Sequence, residues 1–290
     1  MKLVIDADSV VYAAAAAAER NVYAVVREDG QCFDGLDHKT AKAALLDGGQ
    51  LYHRTELQDQ AIAIEAARSM IRTTVNEVRD NTGEAPDVHI LLTGYGNYRE
   101  RLATVIRYKF NRVETKKPAH YGAVRKHLVD ELQAELVHWY EADDKCAILQ
   151  TQDRTNTVVS SIDKDLLQVP GWHWIPGKGM VEVSEVSGLL RLYQQILMGD
   201  ATDGVPGCKG IGAVKAKAIV QGVLPGVPTD YGPAHSARAG LEAALWAAVK
   251  QTYYAADLPV ETAIETARLV YLLRAEPKDP AYPQLWTPPT

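Results

Sequence analysis

The sequence predicts an α/β protein with a mostly parallel sheet, followed by a helical C-terminal region. Three observations support this fold class. Short apolar segments alternate with helix-like segments over much of the first two thirds of the chain, which is typical of parallel sheets. Acidic residues repeatedly follow the apolar segments, where parallel strands end. Strand-like patterns stop after about residue 187, and helix-like segments there surround a glycine-rich stretch.

Apolar runs, turn residues and helical periodicity place the elements in order. In the first half we expect a buried strand at Lys2–Ile5, a helix through Ala13–Ala18, a hairpin of Ala24–Val26 and Gln31–Phe33 around Asp29-Gly30, a helix over Leu57–Asn81 ended by Gly83, and a core strand at Val88–Leu92. In the second half we expect strands at Leu136–Tyr140 and Val158–Ile162, helices at Asp144–Gln150, Leu189–Leu197, Ala213–Val220, Leu241–Tyr254 and Val260–Leu273, and a Pro- and Gly-rich loop at Gly222–Gly232. The basic segment between Arg99 and Lys126 is expected to be partly helical and broken at Pro118.

Composition excludes several classes of protein. The 290 residues are 47% apolar and 23% charged, as in ordinary globular proteins. The apolar stretch Val10–Ala18 is too short to cross a bilayer, and acidic residues precede it, which excludes a secretory signal. The three cysteines are too few and too widely spaced for a disulfide framework or a zinc ribbon. We therefore expect a cytoplasmic protein with no membrane partner.

Acidic residues are placed where strands give way to loops or helices. They are Asp6 and Asp8, Glu141, Asp143 and Asp144, Asp163 and Asp165, and Asp200 and Asp203. Because parallel strands end at one edge of a sheet, these carboxylates are expected to converge there. So many negative charges need neutralisation, and hard divalent cations such as Mg²⁺ bind oxygen ligands. The pattern predicts a metal-dependent enzyme that acts on phosphates.

Each acidic group also has a purely structural interpretation. Asp143 or Asp144 could cap a helix, Asp163 could begin another helical turn, and the Asp200–Asp203 group could form an ordinary turn. Taken alone, the Glu141–Asp144 group fits a helix cap and a catalytic site equally well. Three such groups at predicted strand or helix ends favour a shared functional site.

The net charge of −6 hides a strongly basic segment. Nine Lys and Arg side chains and two acidic ones lie between Arg99 and Lys126, and five aromatic residues are interleaved from Tyr95 to Tyr121. Local charge decides contact with a polyanion, and aromatic rings can stack on the bases of single strands. The segment therefore indicates a nucleic-acid surface, although basic runs are often only solvated helix faces.

The glycine-rich stretch contains Gly207-x-x-Gly210-x-Gly212. This spacing is a weak dinucleotide-binding signal, because no strand is expected before it. A better interpretation is a hairpin between two helices whose backbone amides bind a nucleic-acid phosphate, with Lys209, Lys215 and Lys217 beside it.

Taken together, these motifs resemble the 5′-nuclease superfamily of flap endonucleases and 5′–3′ exonucleases, and most closely the stand-alone 5′-exonucleases of bacteriophages. The resemblance covers nearly the whole chain and depends on seven motifs in the family's order. They are Ile5-Asp6-Ala7-Asp8, Asn97-Tyr98-Arg99, Tyr108-Lys109-Phe110-Asn111-Arg112, Lys116-Lys117-Pro118, Glu141–Asp144, Ser161–Gln168 and Gly199–Gly212.

The resemblance implies a fold, cofactors and a substrate. The fold would be a PIN-like, mostly parallel sheet with a helical arch, plus a C-terminal helical region with a helix–three-turn–helix motif. Residues 1–187 would form the nuclease core, with the arch at 95–128, and residues 188–290 the DNA-binding region. Two Mg²⁺ ions, replaceable by Mn²⁺, and a K⁺ ion at the hairpin are expected. The substrate would be DNA with a 5′ end or flap, or RNA in RNA–DNA hybrids, cut by a monomer in a phage-infected cell.

The family's roles transfer to residues of this chain. Asp6, Glu141, Asp143 and Asp163 would be the main metal ligands, and Asp8, Asp144, Asp165, Asp200 and Asp203 would bind directly or through water. Arg99 and Lys109 would hold the scissile phosphate. The DNA-binding residues would be Arg101, Arg107, Arg112, Lys116, Lys117, Lys209, Gly210, Gly212, Lys215 and Lys217.

One position departs from the family pattern. Gly94 stands where the family has an aspartate after the second strand, which removes a carboxylate that Asp8 or a water could replace. Two alternatives stay open. A PIN-type ribonuclease would lack the arch and the helical hairpin, and a decayed DNA-binding protein would have lost its carboxylates.

Overall fold

A computed structural model describes residues 1–45, 49–112, 116–224 and 235–289, without the side chains of residues 112 and 235–237. The chain forms two compact units. The first comprises Met1–Asp8, Thr74–Thr115 and Ala134–Thr290, and the second comprises Ser9–Thr73 and Lys116–Gln133. The predicted division at residue 187 stays a prediction.

The strands and helices follow each other in an alternating order over much of the chain. The strands are β1 Lys2–Asp6, β2 Glu19–Val26, β3 Cys32–Leu36, β4 Gln50–Leu57, β5 Asp87–Thr93, β6 Glu135–Val137, β7 Thr157–Ser160, β8 Gly171–Ile175, β9 Gly179–Val183, β10 Gly199–Asp200 and β11 Val205–Pro206. The helices are α1 Asp8–Ala17, α2 His38–Ala44, α3 Gln60–Thr82, α4 Arg99–Leu102, α5 Tyr121–Leu132, α6 Ala142–Gln152, α7 Glu185–Met198, α8 Ala213–Gly222, α9 His235–Ala255 and α10 Val260–Val270.

The first unit contains a six-stranded sheet in the order β6-β5-β1-β7-β8-β9. All neighbouring pairs from β6 to β8 are parallel, and β9 is antiparallel to β8. The predicted mostly parallel sheet is therefore confirmed. The central strand β1 is covered on both faces, since Leu3, Val4 and Ile5 are at most 2% exposed. The carboxyl ends of β1, β5 and β7 therefore meet at one edge, where the predicted ligands lie.

Two hydrophobic clusters stabilise the first unit. One packs α6 against the sheet and includes Val4, Leu91 and Ile148. The other joins α7, α8, α9 and α10, with Tyr193 and Tyr253 fully buried. The second cluster forms because each of these helices carries an apolar stripe that another helix covers.

The second unit contains an antiparallel sheet in the order β3-β2-β4. The hairpin expected at Asp29-Gly30 joins β2 to β3, and Gly30 has a φ of +84°, which favours glycine. The sequence analysis did not predict β4, because its exposed residues show no apolar alternation. The helix expected from Leu57 begins at Gln60, since Leu57 ends β4.

Several other elements differ from expectation. The strand expected at Leu136–Tyr140 is observed as β6, which ends at Val137. It ends there because Trp139 adopts a φ of +71° that turns the chain. The antiparallel hairpin of β8 and β9 was not expected. The last helix ends at Val270 instead of Leu273. The expected loop at Gly222–Gly232 lies mostly outside the described residues.

Within the described ranges, no helix is both long enough and apolar enough to cross a membrane.

Candidate active site

Hydrogen bonds connect three strand ends at one edge of the six-stranded sheet. Asp6 ends β1, and its carboxylate accepts a hydrogen bond from the Ser161 hydroxyl, which follows β7, at 2.8 Å. Asp8 accepts one from the backbone N–H of Thr93, the last residue of β5, at 3.1 Å. The parallel register makes this possible, because Asp6 pairs with Leu91 and Ile5 with Ser160. Asp6 and Asp8 therefore lie where the sequence analysis placed them.

The pKa shifts of Asp6 and Cys146 show that the charges of several carboxylates act at this edge of the sheet. Burial, then the charges of Asp8 and Asp163, raise the pKa of Asp6 to about 7. Burial also raises the pKa of the Cys146 thiol, and the charges of Asp6 and Asp143 add to that rise. Cys146, on α6, is thus near enough to both groups of carboxylates for their charges to act on it.

Helix α6 begins with a capping box. The Glu141 side chain accepts from the backbone of Asp144, and the Asp144 carboxylate accepts from the Glu141 N–H at 3.2 Å. Burial, followed by the charges of Glu141 and Asp144, raises the pKa of Asp143 well above its ordinary value. The helix cap considered in the sequence analysis is therefore present, and Asp143 takes part in it by accepting from the Asp144 N–H at 2.7 Å. Asp143 is only partly exposed, and the neighbouring negative charges disfavour its ionised form.

Arg99 is buried against Asp144. Its guanidinium is 1% exposed and donates to both Asp144 oxygens, at 2.6 and 2.8 Å. It also donates to the backbone carbonyls of Leu269 and Tyr271, at 2.8 and 2.9 Å. Burial disfavours the charge on Arg99, but Asp144 outweighs this and raises its pKa. The structure thus pairs two predicted functional residues with each other.

Glu141 is surrounded by donors from the basic segment. The Tyr108 hydroxyl lies 2.8 Å from both Glu141 and Asp203, and the Lys109 ammonium contacts Glu141 directly and Asp203 at 3.5 Å. Although burial acts to raise the pKa of Glu141, Lys109 and then Arg99 lower it to about 2. The Glu141 carboxylate is therefore ionised and held by cations of the protein.

Backbone contacts place Lys109 at this position. Its φ of +56° is unusual for a residue with a side chain, and its N–H donates to the Asp203 carbonyl at 2.8 Å. Asn111 donates to two carbonyls of the turn between β10 and β11, at 3.0 and 3.1 Å. A Cβ at Gly204 would meet the Phe110 ring at 2.8 Å, so glycine permits this close approach. The Tyr-Lys-Phe-Asn motif and the Asp-rich turn therefore form one structure.

The last acidic groups also combine structural and electrostatic roles. Asp163 caps a 3₁₀ turn by accepting from the Asp165 N–H at 2.8 Å, and Asp200 accepts from the Thr202 N–H at 2.7 Å. Burial, the charge of Asp163 and a hydrogen bond with Asp200 raise the pKa of Asp165 to about 7. Arg191 donates to Asp165 at 3.0 Å. Asp163, Asp165 and Asp200 are thus close enough to interact strongly.

A histidine fills the space beside Gly94. An added Cβ at Gly94 would lie 2.2 Å from His138 Nδ1 and 2.6 Å from the Val137 carbonyl. His138 Nδ1 accepts a hydrogen bond from the Tyr95 N–H at 3.1 Å, and the two rings stack with centroids 4.1 Å apart. Neither aspartate nor alanine therefore fits at position 94 while His138 and Val137 stay in place.

The predicted DNA contacts of the first unit are exposed or partly exposed. Arg107 is exposed, and the Arg101 guanidinium lies over the Tyr282 ring, 4.2 Å from its centroid. The Arg112 side chain lies outside the described set. Arg101 and Arg107 are therefore available on the surface of this unit.

The remaining part of the predicted arch belongs to the second unit. Lys116 and Lys117 are exposed, and the Lys117 ammonium lies 4.4 Å from the Tyr121 ring centroid, at the start of α5. Residues 113–115 lie outside the described set. The arch itself stays a prediction.

The glycine-rich stretch leads into α8. Gly210 has a φ of +79°, and Gly212 is the N-cap residue of the helix. Lys209, Lys215 and Lys217 are exposed, and Lys215 donates to the Gly210 carbonyl at 3.1 Å. Phosphate binding by these residues stays a prediction, and the helix–three-turn–helix motif is not confirmed.

In the part of the chain that the structure describes, no group of three or more His, Cys, Asp or Glu side chains has the arrangement of a metal site. The chemistry of the donors nevertheless suits a hard divalent cation, because all nine predicted ligands are carboxylates. The raised pKa values of Asp6, Asp143 and Asp165 also show where a cation would relieve repulsion.

Three residues near the carboxylates were missed as site residues from the sequence. Tyr108 was noted only as an interleaved aromatic and as part of a motif, Ser161 only as part of a motif, and His138 not at all. The position of Tyr108 beside Lys109 was a usable signal. For His138 the signal was Gly94, because glycine has no side chain and so leaves space for the side chain of a neighbouring residue.

Comparisons with known proteins give structural matches. No protein-family model matches the chain, and no curated protein does. A bacteriophage T5 flap endonuclease in a complex with DNA and metal ions matches with 17% identity, covering 68% of this chain and 84% of that one, at a TM-score of 0.41. A T5 protein co-crystallised with metal ions matches with 14% identity, 92% and 94% coverage and a TM-score of 0.45. A T5 5′-exonuclease with zinc matches with 17% identity, 70% and 86% coverage and a TM-score of 0.41.

The chain is similar to these 5′-nuclease structures. The DNA and the metal ions are described for those proteins.

Proposed function

We propose that this protein is a divalent-metal-dependent 5′ nuclease that hydrolyses phosphodiester bonds of DNA. The observation that carries the proposal is the convergence of carboxylates beside the basic Tyr108-Lys109 motif at one edge of the parallel sheet. Structural capping explains the hydrogen bonds of Glu141, Asp143 and Asp144, but it does not explain why carboxyls with raised pKa values, Asp143 and the buried Asp6, are gathered here. Buried carboxyls with raised pKa values are typical of functional sites.

The carboxylates divide into two groups by their partners. Glu141 and Asp144 are held by Lys109 and Arg99, so they are the poorer candidates for direct metal contact. Asp6, Asp8, Asp143 and Asp163 would hold the metal, and Asp165, Asp200 and Asp203 would support it directly or through water. Bound Mg²⁺ or Mn²⁺ would activate a water and stabilise the leaving oxygen.

Arg99 and Lys109 would have different tasks. The buried Arg99 fixes Asp144, and through the capping box it fixes the start of α6, where Asp143 is placed. Lys109 is 24% exposed, so its ammonium can exchange Glu141 for a substrate phosphate and offset the charge that develops there. We therefore assign phosphate contact to Lys109 and a positioning role to Arg99.

Positively charged side chains away from this edge of the sheet would bind the DNA. The exposed Arg101 and Arg107 would contact the single-stranded 5′ end, and the backbone of Gly210 with Lys209 and Lys215 would bind duplex phosphates. The K⁺ ion at this hairpin, cleavage of RNA–DNA hybrids, a monomeric state and a role in phage replication stay predictions.

A cleavage assay tests the proposal. Substrates labelled at the 5′ end, as duplex, flap, single-stranded DNA and single-stranded RNA, would be incubated with Mg²⁺ or with EDTA. We expect products with 5′ phosphates from duplex or flap DNA with Mg²⁺ and none with EDTA. Cleavage of the RNA in preference to every DNA substrate would favour a PIN-type ribonuclease, and binding without any cleavage would favour a decayed DNA-binding protein.

A further inference from the structure

A polar cavity lies in the first unit beside the end of α6. It has a volume of about 860 Å³ and lies between α7, the residues after α6 and the C-terminal segment 271–287. Helix α6 has 11 residues and is therefore about 15 Å long, with the carboxylates at its first turn and the cavity residue Thr151 at its last. None of the nine predicted metal ligands lines the cavity, although Tyr271 and Leu273 of its lining also hydrogen-bond Arg99 and Asp144.

Cationic side chains dominate one wall of this cavity. Arg154, Arg238, Arg274 and Lys278 line it. Arg154 and Arg238 share one carboxylate, that of Glu185. Two guanidinium groups on a single carboxylate leave one positive charge without compensation.

Arg274 adds a further positive charge to this lining. Its guanidinium donates to the carbonyls of Leu272 and Gln168, at 2.8 and 3.1 Å, and lies over the Tyr271 ring. No carboxylate lies within ion-pair distance of Arg274 among the described residues. Burial lowers its pKa to about 10; Tyr271 and the more distant Asp144 oppose this shift, and repulsion from Arg238 and Arg154 adds to it. Arg274 is therefore a charged guanidinium without a carboxylate in direct contact.

The acidic residues of the wall do not cancel this excess. Glu276 is already bound by Lys145, at 2.9 Å, and by the Tyr140 hydroxyl. Burial raises the pKa of Glu242, although the charge of Arg238 opposes the rise. Four cationic side chains and three carboxylates thus line the cavity, and Leu189, Leu192 and Trp286 add apolar surface.

We propose that this cavity binds a small phosphate monoester of about nucleotide size, with its phosphate between Arg154, Arg238 and Arg274. Guanidinium groups present paired N–H donors that match phosphate oxygens, which favours phosphate over a compact anion such as chloride. The volume falls within the range of about 300–1,000 Å³ for small-molecule sites, and the apolar side suits the organic part of the ligand. The concave shape favours a small molecule over a DNA backbone.

Calorimetric titration in EDTA tests the proposal, because removing metal prevents product binding at the proposed active site. The probe is deoxyadenosine 5′-monophosphate, and the controls are deoxyadenosine and inorganic phosphate. We expect saturable binding of the monophosphate, no binding of the nucleoside, and weaker binding of inorganic phosphate.

Variants place the binding in this cavity. Arg154 and Arg238 are 37% and 50% exposed, so Arg154→Gln and Arg238→Gln leave the core intact. Each is expected to weaken binding about tenfold, which corresponds to about 1.4 kcal/mol. The matched control is Arg79→Gln, a surface arginine of the same unit paired with Asp80, which should bind as the parent does.

Three results would overturn the proposal. They are no saturable binding by the parent, equal affinity for deoxyadenosine and its monophosphate, and unchanged affinity in both cavity variants. Displacement of the bound monophosphate by a short DNA duplex would instead assign the cavity to nucleic acid.

Discussion

Replacement of Arg99 by alanine should destabilise the protein strongly. Asp144 is fully buried and accepts two hydrogen bonds from Arg99, and the Leu269 and Tyr271 carbonyls accept two more. Arg99→Ala would leave the carboxylate buried without its cation. Breaking a buried ion pair in this way costs about 3–5 kcal/mol of the free energy of unfolding. With a denaturant slope of about 3 kcal/mol per M for urea, the midpoint should fall by about 1–2 M.

Urea unfolding followed by circular dichroism measures this shift. The matched control is Arg79→Ala, whose guanidinium is 49% exposed, and it should change the midpoint little. The double variant Arg99→Met with Asp144→Leu should recover much of the loss, because the buried Asp144 carboxylate is removed together with its cation.

The alternative role for Arg99, direct contact with the scissile phosphate, predicts a different outcome. Arg99→Ala would then unfold at the parent's midpoint and would lose cleavage alone. A midpoint within experimental error of the parent's would refute the reasoning from burial.

Three further predictions follow from the first unit. Gly94→Asp should lower the melting temperature by several degrees and should not lower the Mg²⁺ concentration needed for cleavage, because its Cβ would meet His138 Nδ1 at 2.2 Å and the Val137 carbonyl at 2.6 Å. In EDTA, the free energy of unfolding of the parent should fall as the pH rises from about 4 to 7, and it should fall less in Asp6→Asn. The reason is that folded Asp6 has a pKa of about 7 and keeps a proton over this range, whereas the unfolded chain releases it. Arg101→Gln with Arg107→Gln should reduce the salt dependence of binding to 5′-tailed DNA by about 0.7 per lost phosphate contact, measured by fluorescence anisotropy.

Each of these predictions has a result that contradicts it. A Gly94→Asp protein with the parent's melting temperature and a lower Mg²⁺ requirement would mean that the family's aspartate fits after all. Parallel pH curves for the parent and Asp6→Asn would show that Asp6 is ionised in the folded state. Equal salt slopes would mean that Arg101 and Arg107 form only a solvated surface.

The sequence predicted the parts of the fold that local patterns determine. The strand β1 was visible because a fully buried parallel strand is an uninterrupted apolar run. Asp6 and Asp8 could be placed at its end for the same reason. The strand β4 could not be predicted, because it is held by backbone pairing with β2 while its side chains are exposed.

The partners of the site residues depend on contacts between distant parts of the chain. Arg99 and Asp144 are 45 residues apart, and Lys109 and Asp203 are 94 apart, so no local pattern shows that they pair. The sequence could identify these residues as unusual charges, but only the fold shows which charges neutralise each other. The same holds for Gly94, which follows β5, because its neighbour His138 follows the end of the paired strand β6.

The most direct measurement is single-turnover cleavage of a 5′-flap DNA by the parent and by Asp143→Asn, with and without Mg²⁺. The matched control is Asp130→Asn, an exposed carboxylate paired with Lys126 in the second unit. We predict Mg²⁺-dependent cleavage by the parent and the control, and loss of cleavage with retained DNA binding in Asp143→Asn. Cleavage by Asp143→Asn at the parent's rate, or cleavage by the parent in EDTA, would contradict a metal-dependent nuclease site built from these carboxylates.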